Sequence, residues 1–454
     1  MDGSMQMEAA PRACPQPGRW KGRAALVGAS LAFVLGAAHF FRSGQHGLAC
    51  VCLVWAGLLW RPVAWLRRSA AVFLLGLAAE WGMTTLALAR WRLQLGQDWL
   101  RMVCILGAVA ALTLLAAAAL RSRACRRGEV SGPRAQALAC LLVSALLLLL
   151  DGLRPDLLLL HRLVPGWGAV QALLAGLWAG LVYGWLADRR RAPVWRRRIW
   201  LLFSCVFFGQ LLAGLFLHSL FLLQGVPHLP VPGLILSCPL YRGGGSLFMP
   251  GLFAVSLLLA GSAWCSHLCY LGVWDARAAD TGPRSGRGVP ALWRKMRWGL
   301  LAVSLLLPLG LRLAGLPWPW ALVFALALGL ALLPCALWLS RKLGIPVYCC
   351  GICPLGMTVN LLARLSPWRL RRNGHCTGCG ACARVCRYGA LRLDGDGRVT
   401  GPDWRCTLCR DCMSVCRHRA LEIRCCGQGG AWVEQALLCS LSVLHTLFLF
   451  MGRV

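Results

Sequence analysis

The same spacing of four cysteines occurs twice near the end of the chain, thirty residues apart. The first run is Cys376, Cys379, Cys382 and Cys386, and the second is Cys406, Cys409, Cys412 and Cys416. Each run reads C-x2-C-x2-C-x3-C, the bacterial-type spacing for a [4Fe–4S] cluster. Three thiolates two residues apart on a tight loop can reach three corners of a cubane cluster, so the fourth ligand must come from elsewhere in the chain.

The origin of the fourth ligand follows from the presence of two runs. In two-cluster ferredoxins the fourth cysteine of each run ligates the cluster of the other run. The sequence therefore predicts one cluster on Cys376, Cys379, Cys382 and Cys416, and a second on Cys406, Cys409, Cys412 and Cys386. The alternatives are zinc sites or disulfides, but zinc frameworks place a long spacer between two CxxC pairs.

The runs depart from the ferredoxin pattern at one position each. Arg387 and Arg417 follow the fourth cysteines, where ferredoxins carry proline. Proline is not a ligand there, so ligation survives its replacement. We expect the arginines to raise the reduction potential, because a positive charge favours the reduced, more negative cluster.

The rest of the chain is too apolar for a soluble electron carrier. Hydrophobic residues make up 58% of it and its mean hydropathy is +0.63, whereas globular domains are about 45–50% apolar. Crossing a bilayer takes about 20 apolar residues per helix. We predict spans near 24–41, 47–60, 70–89, 100–120, 135–150, 169–187, 199–223, 247–263, 296–315 and 318–339, with 431–451 as an eleventh, which could instead lie in the membrane interface.

The predicted fold class is mainly α. It is a polytopic helical membrane protein of about 10–11 spans with a small cytoplasmic α+β domain of the 2[4Fe–4S] ferredoxin type. We divide the chain into an N-terminal membrane domain of about six helices without an assigned role, a four-helix membrane core with the first C-x3-C motif, a segment with the second such motif and both cluster runs, and a terminal membrane or interfacial helix. Their bounds are 1–195, 196–345, 346–425 and 426–454.

The net charge of +32 could indicate a nucleic-acid partner, but its placement argues against one. Arginines gather in alternate loops, as in Arg189–Arg191 and Arg196–Arg198, and the intervening loops hold few. This is the positive-inside pattern of an inner-membrane protein whose N-terminus and ferredoxin segment are cytoplasmic. The 25 cysteines fit that reducing compartment.

A second cysteine motif is repeated nearer the membrane segments. Cys265 and Cys269 are separated by three residues, as are Cys349 and Cys353, and each pair is followed by x-Leu-Gly. If the motif is helical, its two sulfurs lie on one face. These thiols could form a dithiol relay, bind a metal or simply pack. A third cubane is not expected, because no third cysteine follows at the ferredoxin spacing.

Residues about 197–424 resemble the NapH/NosR-type membrane polyferredoxins, which are associated with periplasmic nitrate and nitrous oxide reductases. The resemblance rests on the eight cluster cysteines, Cys238-Pro239, and the pairs Cys265/Cys269 and Cys349/Cys353-Pro354. It implies a four-helix core, CxxxCP motifs at the cytoplasmic membrane face and a double [4Fe–4S] segment. The chain departs from the family at Tyr270, where the family has proline.

Glu80 lies inside a predicted span, where an ionisable group is costly. A role with a proton or a quinol and a neutral, hydrogen-bonded glutamic acid are both open. His39, His218 and His445 form no recognisable haem-ligand pair, so haem is not expected.

These features predict an electron-transfer component rather than a self-contained enzyme. Electrons would pass through two [4Fe–4S] clusters between a quinol or cytoplasmic donor and a redox partner protein or reductase complex. One alternative is an accessory factor that reduces or delivers metal or thiols to a maturing enzyme. A weaker alternative is a transporter with an iron–sulfur regulatory domain.

Overall fold

The computed structural model describes residues 19–61, 63–121, 134–221, 234–242, 247–283, 291–393 and 399–451. α-Helices make up most of these ranges. They are α1 (Arg19–Arg42), α2 (His46–Leu58), α3 (Ala64–Gln94), α4 (Leu100–Arg121), α5 (Arg134–Leu153), α6 (Leu159–Leu163), α7 (Gly168–Ala187), α8 (Ala192–Phe216), α9 (Leu234–Arg242), α10 (Phe248–Ala260), α11 (Trp264–His267), α12 (Gly272–Asp280), α13 (Ala291–Leu313), α14 (Trp318–Leu343), α15 (Pro354–Leu362), α16 (Ala381–Val385), α17 (Asp411–Val415) and α18 (Ala431–Met451).

Each of the eleven predicted spans overlaps a helix, although the last residues of 199–223 lie outside the described residues. Within the described ranges, nine helices are long and apolar enough to cross a membrane. The two predicted spans that are not among these nine are 47–60, which corresponds to α2, and 318–339, which lies in α14. α2 has 13 residues and is therefore shorter than the roughly 20 that a bilayer requires. The mainly helical membrane fold is confirmed.

The chain divides into two compact units, Met1–Pro133 and Arg134–Val454. The domain bounds that we infer from the sequence stay predictions, because compactness alone does not delimit functional domains. In the first unit, α3 packs against α4, and α1 packs against α2 and α4. Phe33, Trp55 and Leu74 are fully buried between these helices.

In the second unit, α18 packs against α5, α7 and α10. Leu437, Leu441 and Ser442 on α18 are completely buried. A helix that lies flat in the membrane interface keeps one polar face in contact with water. The burial of α18 among three other apolar helices therefore favours a span.

The region that carries both cluster runs contains four short strands. β1 (Trp368–Arg372) pairs antiparallel with β4 (Leu421–Cys425), and β2 (Arg392–Leu393) pairs antiparallel with β3 (Val399–Thr400). Alternate residues of β1 and β4 point to one side, so Leu370 and Ile423 are buried. The short helices α16 and α17 lie at equivalent places in the two cysteine runs. This is the predicted ferredoxin-type domain.

Candidate functional site

The two cysteine loops share one backbone conformation. Gly378 and Gly380 in the first loop have left-handed φ angles of 74° and 73°, and the equivalent Leu408 and Arg410 in the second have 47° and 67°. Left-handed residues reverse the chain direction sharply, and non-glycine residues adopt this conformation at a cost of about 1–2 kcal/mol each. The second loop therefore keeps the conformation of the first despite the strain.

Each fourth cysteine lies beside the other run. One cavity is lined by four cysteines that include three from the second run and one from the first: Cys406, Cys409, Cys412 and Cys386. At the first run, Cys416 of the second run lies near Cys376 and Cys382. Burial raises the pKa of Cys382, and the nearby thiols of Cys376 and Cys416 raise this pKa further. These are the groupings that the swapped assignment requires, and the assignment itself stays a prediction.

The chemistry of these thiols suits an iron–sulfur cluster. Burial raises the pKa of Cys412 well above its usual value and that of Cys409 to about 12. Metal ligation requires the thiolate, so these buried sulfurs need the positive charge of bound iron. The amides of Leu391 and Ala420 donate to the sulfurs of Cys386 and Cys416 at 3.4 and 3.3 Å.

The described cluster cysteines form neither disulfides nor a compact site for one metal ion. All eight are free of disulfides. In the ranges that the structure covers, no three His, Cys, Asp or Glu side chains are arranged to hold a single metal ion.

Buried arginines attach the ferredoxin-type domain to the ends of membrane helices. Arg196 of α8 is 4% exposed and donates to both carboxylate oxygens of Asp411 on α17, at 3.0 and 2.9 Å, and to the carbonyl of Ser266 at 3.1 Å. From the sequence, Arg196 was one of several arginines in a positive-inside loop, and no pattern distinguished it.

Arg410, which has a left-handed φ angle, forms a second attachment between the ferredoxin-type domain and the membrane helices. Its guanidinium donates to the carbonyl of Leu186 at 2.8 Å and is paired with the carboxylate of Glu434 on α18. Arg189 also donates to Glu434. The sequence contains one signal for Arg410: the equivalent residue of the first run is Gly380. An arginine at a position where the repeat has glycine indicates a specific role for its side chain.

Arg387 and Arg417 have different surroundings. Arg387 is paired with Asp280 at 3.0 Å and donates to the carbonyls of Ala279 and Gly344. Arg417 is exposed. The first run therefore uses its proline position to contact the segments that contain Asp280 and Gly344, and Asp280 is shared between Arg387 and Arg197. The expected effect on potential stays a prediction.

The two C-x3-C motifs lie together, although neither is one continuous α-helix. Cys265, Cys269, Cys349 and Cys353 line a single cavity with Cys350. The condition under which two sulfurs would share one helical face, a continuous helix through the motif, is therefore not met. The helix α11 ends at His267, before Cys269, while Cys349 is in a π-helical turn and Cys353 caps the N-terminus of α15, where Pro354 begins the helix.

The structure also shows the surroundings of Tyr270 and Glu80, which the sequence analysis singled out. Tyr270, which replaces the proline of the resembling family, stacks on Phe207 with ring centroids 4.1 Å apart. Glu80 has a partner, because its carboxylate lies 3.6 Å from Nε2 of His39. This contact is compatible both with a role of Glu80 towards a proton or a quinol and with a neutral, hydrogen-bonded glutamic acid. Cys238 belongs to α9, but its side chain lies outside the described residues.

Comparison with known proteins identifies the cysteine-rich domain. The 4Fe-4S dicluster domain family matches residues 375–420, which include all eight cysteines of the two runs. No match was found among curated proteins or among solved structures. The protein is a membrane protein with a ferredoxin-type, 4Fe-4S-binding domain.

Proposed function

We propose that this protein is a membrane-bound electron-transfer component. It would pass electrons through two [4Fe–4S] clusters between a quinol or a cytoplasmic donor and a redox partner protein or reductase complex. The observation that carries the proposal is the attachment of a dicluster domain to membrane-helix ends through buried ion pairs such as Arg196 with Asp411.

The clusters supply one-electron chemistry, and the chain supplies their position and environment. Amide donors at the cysteine sulfurs and the burial of the second run adjust the potential. Arg196 and Arg410 hold the second run against α8 and α18, which gives the electron path a constant length. The resemblance to NapH/NosR-type polyferredoxins supports this reading and an inner-membrane location with the domain in the cytoplasm.

One experiment tests the two donor classes. Membranes that contain the protein receive either a quinol analogue or a reduced soluble electron carrier, and the visible absorbance of the clusters is followed anaerobically. We expect one of the two to bleach the absorbance. The matched control is a Cys379→Ser, Cys409→Ser variant, which should lose about eight irons per chain and the part of the absorbance that comes from the two ferredoxin clusters. Clusters that dithionite reduces but neither donor reduces would contradict the proposal.

The maturation-factor alternative also has an observation in its favour, namely the cavity with five cysteines beside the ferredoxin-type domain. A factor that delivers metal would copurify with substoichiometric, exchangeable copper or zinc. Metal analysis of the protein before and after treatment with a mild chelator distinguishes it from an electron carrier, whose iron is retained.

A further inference from the structure

The two C-x3-C motifs have the same local geometry. A Cβ at Gly272 would lie 3.1 Å from the carbonyl oxygen of Cys265, and one at Gly356 would lie 3.2 Å from that of Cys349. In each motif, therefore, the glycine seven residues after the first cysteine packs against the carbonyl of that cysteine. Two segments far apart in sequence thus form a matched pair around one cavity.

The second cysteine of each motif is surrounded by amide donors. The amide of Gly356 donates to the sulfur of Cys353 at 3.4 Å. The amides of Gly272 and Leu271 are hydrogen-bond donors to the sulfur of Cys269. The sulfurs of Cys386 and Cys416 in the ferredoxin runs accept amide hydrogen bonds in the same way. Such donors stabilise a thiolate.

The cavity also contains buried polar atoms that lack a partner. Arg297 is 5% exposed and lines the cavity, and its Nε has no hydrogen-bond partner among the described residues. The hydroxyls of Tyr388 and Thr407 line the same cavity and are likewise buried and unpartnered in this part of the structure. Buried polar groups normally have partners. An arginine and two residues with unpartnered hydroxyls that line one space suit an anionic occupant.

We infer that this cavity holds a third iron–sulfur cluster, a [4Fe–4S] cubane ligated by Cys265, Cys269, Cys349 and Cys353. A cubane with four thiolate ligands is an anion, which suits Arg297.

The position of the cavity agrees with this inference. Tyr388 and Thr407 line both this cavity and the cavity of the second ferredoxin run, so the third cluster would be adjacent to the second ferredoxin cluster. Its role as a relay between the membrane helices and that cluster rests on the proposed function, but its existence does not.

Cys350 is the competing ligand. Both Cys349 and Cys350 contact the apolar cluster of Ile345 and Val347, so their packing does not separate them. Cys350 is one residue out of register with the first motif, whereas Cys349 has the relation to Gly356 that Cys265 has to Gly272. We therefore assign Cys349 as the ligand.

The test is the iron and sulfide content of the full-length protein after anaerobic purification, with electron paramagnetic resonance of the reduced form. We expect Cys269→Ser and Cys353→Ser each to lower the content by about four irons per chain while the two ferredoxin signals remain. Cys205→Ser, which changes an exposed cysteine of α8, and Cys350→Ser should both retain the wild-type content.

A second variant separates this inference from the ferredoxin assignment and from misfolding. With both ferredoxin runs disabled by Cys379→Ser and Cys409→Ser, about four irons should remain, and adding Cys353→Ser should remove them. The third cubane would be overturned if the Cys379→Ser, Cys409→Ser variant retained no iron. It would also be overturned if Cys269→Ser and Cys353→Ser kept the wild-type iron content or lost only about two irons. Loss of iron from Cys350→Ser but not from Cys349→Ser would overturn the ligand assignment.

Discussion

Cys386 is the residue that most directly tests how the clusters are held. It belongs to the first run but lines the cavity of the second, with Cys406, Cys409 and Cys412. We expect Cys386→Ser to damage the cluster of the second run and to leave that of the first intact. The measurement is paramagnetic resonance of the reduced protein, with Cys416→Ser as the reciprocal variant. Loss of the same signal in both variants would contradict the exchange of fourth ligands.

Arg410 has a strained backbone and takes part in a buried ion pair. Replacing it with glycine therefore has two effects of opposite sign on the stability of the folded domain. Arg410→Gly removes left-handed strain of about 1–2 kcal/mol, but it also leaves Glu434 with one arginine fewer. Glu434 keeps Arg189 as a partner, so the loss is smaller than the roughly 3–5 kcal/mol of an uncompensated buried charge. The hydrogen bond from Arg410 to the carbonyl of Leu186 is lost as well, and together these losses exceed the relief of strain. We expect the temperature at which the cluster absorbance disappears to fall.

The matched control for Arg410 is Arg419, which is left-handed with a φ of 49° and has an exposed side chain. The equivalent residue of the first run is Gly389, also left-handed. Arg419→Gly should therefore relieve strain without losing a buried contact, and the temperature of cluster loss should rise slightly. If the temperature of cluster loss fell in both Arg410→Gly and Arg419→Gly, the backbone strain would have been overestimated.

At the scale of elements, the contact between α8 and α17 holds the ferredoxin-type domain in place. Arg196→Met should leave the carboxylate of Asp411 with only the more distant Arg197, at 3.6 Å, and destabilise the docked state by about 3–5 kcal/mol. We expect faster proteolytic cleavage of residues 366–425 in membranes.

Arg198→Met on the same helix is the control, since Arg198 is exposed and lies over the ring of Trp195 at 5.2 Å. It should be cleaved at the wild-type rate. Equal rates for Arg196→Met and wild type would show that the docking does not depend on this ion pair.

The elements differ in how far the sequence could predict them. Membrane helices such as α7 and α18 followed from apolar length alone, and the ferredoxin-type domain followed from its cysteine spacing. The cavity that joins Cys265 to Cys353 did not, because the approach of segments distant in sequence is a tertiary result that no local pattern encodes. The π-helical turn at Tyr348–Ile352 was missed for a related reason, since it breaks the helical period on which the sequence reading relied.

At the scale of the whole molecule, the remaining question is which side of the membrane carries the ferredoxin-type domain. The excess of arginine in alternate loops and the need of thiolate ligands for a reducing compartment both favour the cytoplasm. The burial of α18 among other helices favours a further membrane crossing after this domain.

Reporter fusions test this topology. A fluorescent protein fused after Gly427, between β4 and α18, should fluoresce as a cytoplasmic reporter. Alkaline phosphatase should be active when fused after Gly225 or after Val454, because both positions are expected in the periplasm. Cytoplasmic behaviour of the Val454 fusion alone would make α18 an interfacial helix. Periplasmic behaviour of the Gly427 fusion would mean an odd error in the number of preceding spans, and it would move the clusters away from any cytoplasmic electron donor.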